Sequence, residues 1–311
     1  MCHNVDVSII IINYKTVDLI EACIQSVLNL TTGITYEIIV VDNASGDDCI
    51  PRLTNRFGDV LLKIIPLSQN IGFGRANNEG ITHAKGRYIF CLNPDTIIVN
   101  NAIGILAKYL DMNPNCGACG GNLFDASHNP IHSYSLLWPG IKLDLSRIKE
   151  SILGRNRYIH EFNMSNSPIE VAFITGADLM LRKSILDKVG MFDKNLFMYY
   201  EDVELQYRMF KQKYSRVNVP SAHIIHLEGQ STSLHGETSI NLRRLILVEE
   251  GHRLYAKKVM SYSERFCSKV LYLIKFFIKG YALHDKEARA KFRLLIKRDS
   301  SIFNLANNYK N

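Results

Sequence analysis

Apolar and polar positions follow two rhythms along the first half of the chain. Val7–Ile12 is rich in β-branched residues, with Ser8 its one polar member, the pattern of a buried strand. From Val17 to Leu30 the apolar residues return every three or four positions, which predicts a helix. The alternation then repeats. Strands are predicted at Tyr36–Val41, at Val60–Ile65 (ended by Pro66), at Arg87–Leu92 and near Gly117–Phe124. Helices are predicted at Asp48–Phe57, at Gly74–Lys85 (closed by Gly86) and at Asn101–Met112. Short connections between alternating strands and helices imply βαβ units and a mostly parallel sheet, with right-handed crossovers that bring the carboxyl ends of the strands to one edge. Open α/β sheets bind ligands at that edge.

The rhythm fails between Asp125 and Pro168, which reads as an irregular insertion, a mobile lid or acceptor loop. It returns with an ordered run at Glu170–Ile174, a strand at Leu179–Arg182 and a helix at Lys183–Val189. A helix at Glu201–Lys213 and a strand at Ser215–Val219 follow, and after His226 the chain reads as helical and basic.

Composition narrows the class. The 311 residues are 47% hydrophobic and 22% charged, ordinary values for a soluble globular chain. They exclude wholesale disorder, collagen and a polytopic membrane protein. The first apolar run is interrupted by Asp6 and Asn13 and is too short for a signal or a span, and no later stretch reads as a membrane helix. The 7 cysteines are an odd set lying mostly in apolar runs, the pattern of buried thiols in a reducing compartment; Cys116 and Cys119 are expected in the core, not on zinc.

Charge is uneven. From Arg243 to the end there are 16 Lys/Arg against 6 Asp/Glu, while residues 1–242 carry 21 against 24. A basic tail on a mildly acidic body seeks an anionic partner, a nucleic acid or a membrane surface.

Three polar clusters close successive strands: Asn13-Tyr14, Asp42-Asn43 and Asn93-Pro94-Asp95. Any one of them is ordinary turn chemistry. Three along one edge, two with a carboxylate, point to a ligand site. Asp42 can accept hydrogen bonds from a base or ribose, and Asp95 beside Asn93 suits a hard divalent cation such as Mg²⁺ or Mn²⁺. Asn70-Ile71-Gly72-Phe73-Gly74-Arg75 lacks the third glycine of a dinucleotide fingerprint but would let backbone approach a nucleotide. Glu201-Asp202-Val203-Glu204 opens a predicted helix beside aromatic residues. Macrodipole complementarity explains one or two of these acids; a carboxylate against apolar rings can also serve as a general base. His223 and His226 close the set, as core or surface residues or as partners of a metal or diphosphate.

Asp42-Asn43-Ala44-Ser45, the Asn70-x-Gly-x-Gly loop, Asn93-Pro94-Asp95, Gly176-Ala177, Glu201-Asp202 and His226 occur in an order that resembles the family-two inverting glycosyltransferases of the GT-A fold, especially their bacterial rhamnosyltransferase-like branch. The resemblance covers roughly residues 5–235. It implies an α/β, Rossmann-like sheet flanked by helices in a domain at 1–235, its nucleotide-sugar half at 1–125 and its acceptor half at 126–235, followed by a basic helical region at 236–311. It further implies an enzyme, a hexosyltransferase that uses Mg²⁺ or Mn²⁺ to move a sugar, rhamnose by resemblance, from a nucleotide-diphosphate donor to a hydroxyl of a glycan or polyprenyl-linked acceptor in surface polysaccharide (O-antigen) synthesis. In this reading Asn13, Tyr14, Asp42, Asn43, Asn70, Gly72, Gly74, Arg75, Asn93 and Asp95 meet the donor. Gly176, Ala177 and Asp178 lie by the acceptor, Asp95 and His226 hold the metal, and Glu201-Asp202 supplies the base, Asp202 being the stronger candidate. Asn93 replaces the first acid of the family's metal motif.

Two alternatives stay open on the residues: a catalytically silent nucleotide-sugar-binding partner, and a nicotinamide dehydrogenase. The basic tail contains Arg265–Tyr281, a helical pattern with Phe266, Val270, Leu273, Ile274, Phe277 and Tyr281 on one face and Arg265, Lys269, Lys275 and Lys279 on the other. It is expected either to pack on the body or to lie on an anionic leaflet at the cytoplasmic face, where each basic residue is worth ~1 kcal/mol. Nucleic acid is not expected, for lack of any recognition motif.

Overall fold

The computed structural model describes residues 5–58, 62–152, 161–227, 241–282 and 284–310. In chain order the elements begin β1 (Val7–Asn13), α1 (Val17–Leu30), β2 (Tyr36–Asp42), α2 (Cys49–Phe57), β3 (Leu62–Pro66), α3 (Phe73–His83), β4 (Tyr88–Leu92), β5 (Thr96–Ile98), α4 (Ala102–Met112) and β6 (Cys116–Phe124). They continue β7 (Tyr134–Ser135), α5 (Ile141–Ile152), β8 (Ile169–Glu170), β9 (Phe173–Ile174), β10 (Asp178–Arg182), α6 (Lys183–Val189), α7 (Glu201–Lys211) and β11 (Ser215–His226). Four helices end the chain: α8 (Leu242–Val259), α9 (Tyr262–Phe277), α10 (Lys286–Leu295) and α11 (Asp299–Asn307).

Nine strands form the main sheet in the order β3-β2-β1-β4-β10-β6-β11-β5, with β8 also on β11. β1 runs parallel to β2 and β4, β2 to β3, and β11 to β6. β10 runs antiparallel between β4 and β6, and β5 antiparallel to β11. The sheet is therefore mixed, with a parallel majority. Alternation along β1 sends Ile9 and Ile11 to the face covered by α1, α2 and α4, and Ile10 and Ile12 to the face covered by α3, α6 and α7. In α1 the buried residues Val17, Ile20, Cys23, Ile24 and Val27 recur at helical spacing, as the sequence predicted.

Two expectations are corrected, and a third is refined. The stretch at 125–168 is not irregular throughout: it contains β7 and α5. Its helical signal is weak because α5 buries Leu143 but exposes Leu145. The strand expected to stop at Val219 runs on to His226, since a register shift between Asn218 and His223 absorbs Pro220 where it owes no ladder hydrogen bond. The run Glu170–Ile174 is two strands in different sheets, β8 on β11 and β9 on β7. Val60 and Leu61 of the predicted third strand, Cys2, and the residues following Leu227 in the His226 cluster lie outside the described residues. Five of the cysteines are buried free thiols and Cys267 is an exposed one.

Two compact units are present. One is drawn from 1–136, 158–193 and 202–234 and holds the sheet. The other is drawn from 137–157, 194–201 and 235–311 and is helical. Its own core joins Phe197, Leu245, Ile246, Leu247, Leu294, Ile302 and Ala306. In it, α8 carries Gly251 where a Cβ would stand 2.5 Å from the carbonyl oxygen of Tyr199. Tyr199 and Tyr200 have φ of 70° and 69°, a left-handed pair of bulky residues held immediately before α7.

Candidate active site

The parallel strands end together. Asn13 is the register partner of Asp42, and its side-chain nitrogen donates to Asp42 Oδ1 at 3.0 Å. The same amide lies 2.8 Å from Ser45 Oγ and 3.1 Å from Asp47 Oδ1, and its oxygen accepts from the Thr16 amide and hydroxyl. Asn13 is wholly buried and braces Asp42. Ser45 enters the sequence reading only as part of the Asp42-Asn43-Ala44-Ser45 motif, and Asp47 not at all; only its closeness to Asp42 points to it.

Asp42, Asp47 and Cys49 bring ligand atoms within 4.8 Å of one another. Burial, reinforced by the nearby aspartates, pushes the Cys49 thiol up to about 12. With Asn13 bonded to both carboxylates, the cluster is a hydrogen-bonded brace. Asn43 and Asn70 link the next loop: Asn43 donates to Asn70 Oδ1 at 2.9 Å and accepts from the Ile71 amide at 2.9 Å. Gly72, at φ 87°, takes the left-handed turn that starts α3, and Gly74 is buried in the first turn of that helix. Arg75 is exposed there, and Tyr14 is half-buried with Lys15 Nζ 5.5 Å from its ring centre.

The turn after β4 is clamped on both sides. The Asn93 amide donates to Ala177 O at 2.9 Å, the Thr96 hydroxyl donates to Asn93 O at 2.7 Å, and the Leu227 amide donates to Asp95 O at 2.8 Å. These bonds hold buried Asp95 with Oδ1 at 3.3 Å from His226 Nε2, and Asn93 Nδ2 lies 3.4 Å from the same nitrogen. Two adjacent ligands on one octahedral ion, with bonds of about 2.1 Å, stand about 3 Å apart. Carboxylate oxygen and imidazole nitrogen at this spacing fit a divalent cation such as Mn²⁺, and Asn93 would join them by turning its carbonyl oxygen inward in place of Nδ2. His223 sits three residues earlier on the strand, on its other face, edge-on to Phe124 at 5.3 Å. Only one of the two histidines therefore reaches Asp95.

Because β10 is antiparallel, its first residues lie at the edge where the parallel strands end, with Asp178 opposite Leu92. A Cβ on Gly176 would stand 3.2 Å from Asp202 Oδ2. The Val203 amide donates to Asp202 Oδ1 at 2.9 Å, and the Gly176 amide also donates to this carboxylate. Burial nonetheless raises the Asp202 carboxyl above its ordinary value, the two amides and the charge of His132 opposing it. Asp202 keeps some access to solvent, whereas Glu201 is 4% exposed and not open to an incoming hydroxyl. Asp178 departs from its expected acceptor role. Its side chain is wholly buried, accepts the Gly121 amide at 2.6 Å, and is driven well above the ordinary carboxylate range by desolvation. His132, paired with Glu161 at 2.7 Å, was missed because both lie in the stretch read as irregular.

The family model described as "Glycosyl transferase family 2" matches residues 8–190. N-acetylglucosaminyl-diphospho-decaprenol L-rhamnosyltransferase of Mycobacterium tuberculosis is 26% identical over 219 residues, covering 66% of this chain and 71% of that protein. Poly-beta-1,6-N-acetyl-D-glucosamine synthase of Staphylococcus epidermidis is 26% identical over 210 residues, 65% of this chain and 45% of that one. Among solved structures, GalNAc-T7 with UDP, GalNAc and Mn²⁺ superposes with a TM-score of 0.59 at 13% identity, over 99% of this chain and 59% of that one. The mannosyltransferase PcManGT from Pyrobaculum calidifontis, in complex with GDP-Man and Mn²⁺, gives 0.56 at 14% identity, over 99% and 74%. The fold is thus GT-A, and the chain belongs to glycosyl transferase family 2 and is a glycosyltransferase.

Proposed function

We propose that the protein transfers a sugar, rhamnose as first choice, from a nucleotide-diphosphate donor to a hydroxyl of a lipid-linked glycan, with inversion and with a divalent cation, in surface polysaccharide synthesis at the inner face of the membrane. The observation that carries this reading is the order of groups along one sheet edge: Asp42 in its brace, the Asp95–His226 pair at 3.3 Å, and Asp202 against Gly176. The rhamnosyltransferase among the relatives, whose name carries a decaprenol-linked acceptor, supports the choice of sugar and acceptor.

In this mechanism Asp42 receives hydrogen bonds from the nucleotide, and the Asn70–Gly74 loop lets backbone approach it. Asp95 and His226, with Asn93, would hold the cation, which supplies charge neutralisation to the departing diphosphate. Asp202 accepts the proton of the acceptor hydroxyl as its oxygen bonds to the anomeric carbon. The bond from that carbon to the diphosphate oxygen breaks on the opposite face, and its electron pair leaves with the nucleoside diphosphate. One displacement inverts the centre, and no second carboxylate is needed as nucleophile.

Thermal shift of the purified protein against a panel of nucleotide sugars, with Mn²⁺ or with EDTA, tests the reading. Stabilisation by one nucleotide sugar that requires the ion is expected, followed by turnover onto a lipid-linked acceptor. Ion-independent stabilisation by NAD(H) would overturn it.

A further inference from the structure

We propose that the outer face of α9 docks on a bilayer containing anionic lipid, with Arg265 and Lys269 meeting lipid phosphates at the mouth of an adjoining cavity. The inference concerns the helical unit alone and does not depend on the reaction proposed above.

Helix α9 is inside out for a water-facing helix. Its inward side is anchored by polar groups: buried Ser268 donates to Asp144 Oδ2 at 2.5 Å, and Tyr272 lies against His252 with ring centres 5.8 Å apart. Its outward side is apolar. Phe266 is 61% exposed, Ile274 52% and Phe277 53%, and Tyr262, Val270, Ile278 and Tyr281 extend the same arc. The helix continues into the π-helical turn Ile278–Ala282, so the stripe from Tyr262 to Tyr281 is about 28 Å long. Among the described residues no helix is long and apolar enough to cross a membrane. A stripe of this kind lies along an interface and does not span it.

Charge selects the occupant. The chain from Arg243 onward holds 16 Lys/Arg and 6 Asp/Glu. Beside the stripe is a cavity of about 310 Å³ whose lining includes Arg253, Lys257, Arg265 and Lys269. Arg253 is paired with Glu249 at 2.8 Å and Asp299 at 2.9 Å, and Lys257 with Asp299 at 2.8 Å. Burial lowers the pKa of His252, which lines the same wall. Arg265 keeps a buried Nε with no hydrogen-bond partner, and among the described residues Lys269 has no ion-pair partner. Apolar side chains flanked by unneutralised cations complement acyl chains and phosphates together. A second copy laid against the same stripe would bring like charges face to face.

Flotation of the full chain, without donor or acceptor, on phosphatidylcholine vesicles with and without phosphatidylglycerol tests this. Binding to the anionic vesicles is expected, falling at high salt and at least about tenfold weaker on phosphatidylcholine alone. The triple variant Phe266→Ser, Val270→Ser, Ile274→Ser, which spares Phe277 and its contact with Phe292, should lose binding and keep its melting temperature. The double variant Arg265→Gln, Lys269→Gln should weaken anionic binding by about 30-fold. Failure to bind anionic vesicles, or wild-type binding by either variant, would overturn the proposal. So would a dimer, seen by light scattering, that the triple variant dissolves, since the stripe would then be covered by a second copy.

Discussion

His226 Nε2 stands 3.3 Å from Asp95 Oδ1, joining the end of the longest strand to the turn after β4. The backbone bond from Leu227 to Asp95 fixes the approach at 2.8 Å, so the pair is set by the sheet and not by side-chain chance. Asp95→Ala and His226→Ala should each weaken Mn²⁺-dependent donor binding by about tenfold or more, read by calorimetry. Chelation should stop turnover and added Mn²⁺ restore it. Unchanged affinity in both variants would remove this pair from the metal site.

Asp202→Asn should lower turnover by ~10²–10⁴-fold while the nucleotide-sugar affinity stays near wild type. A base works only when ionised, and burial raises this carboxyl from an ordinary 3.8. The acid limb of the rate profile should therefore lie above that value. His132 opposes the rise, so His132→Gln should move the limb to higher pH. A limb unmoved in that variant would leave His132 with no electrostatic role.

Asp178 should make stability fall as pH rises. Its folded carboxyl titrates well above 3.8 because it is desolvated, while the unfolded one ionises near that value. The folded state therefore holds the extra proton. This contribution is complete below the unfolded value and is lost as pH climbs through the folded one. Asp178→Asn keeps a neutral group of the same shape, and its melting temperature should gain on wild type as pH is raised. Parallel pH curves for the two proteins would contradict this.

Gly251→Ala should destabilise, although alanine favours a helix. A Cβ there would stand 2.5 Å from a backbone oxygen of Tyr199, an atom that cannot swing away. Overpacking of this kind costs about 1–3 kcal/mol, against the roughly 1 kcal/mol that alanine returns. Chemical denaturation would read the difference.

The alternation of patterns made β1, α1, β2 and α4 readable to within a residue or so, because each buries a regular stripe or both faces. It also made the common edge readable, since Asp42 and Asp95 follow the strands directly. Asp178 was misplaced because alternation tells the faces of a strand apart but not which polar residue the sheet itself consumes. β5 has three residues, too few to show any period. The extension of β11 was hidden by Pro220, which a bulge can absorb but a pattern treats as a stop. His132 carries no local signal at all; its relation to Asp202 exists only in three dimensions.

The reversed strand β10 has a consequence for how the sheet can be assembled. It sits between β4 and β6, yet it is synthesised after both. As the polypeptide leaves the ribosome, the first six strands lack two neighbours: β10 belongs between β4 and β6, and β11 between β6 and β5. Their edges stay unsealed until residue 182 has emerged for β10 and residue 226 for β11. A fragment cut at residue 125 would keep both gaps open, and its exposed edges would invite aggregation in place of an independent nucleotide-binding module.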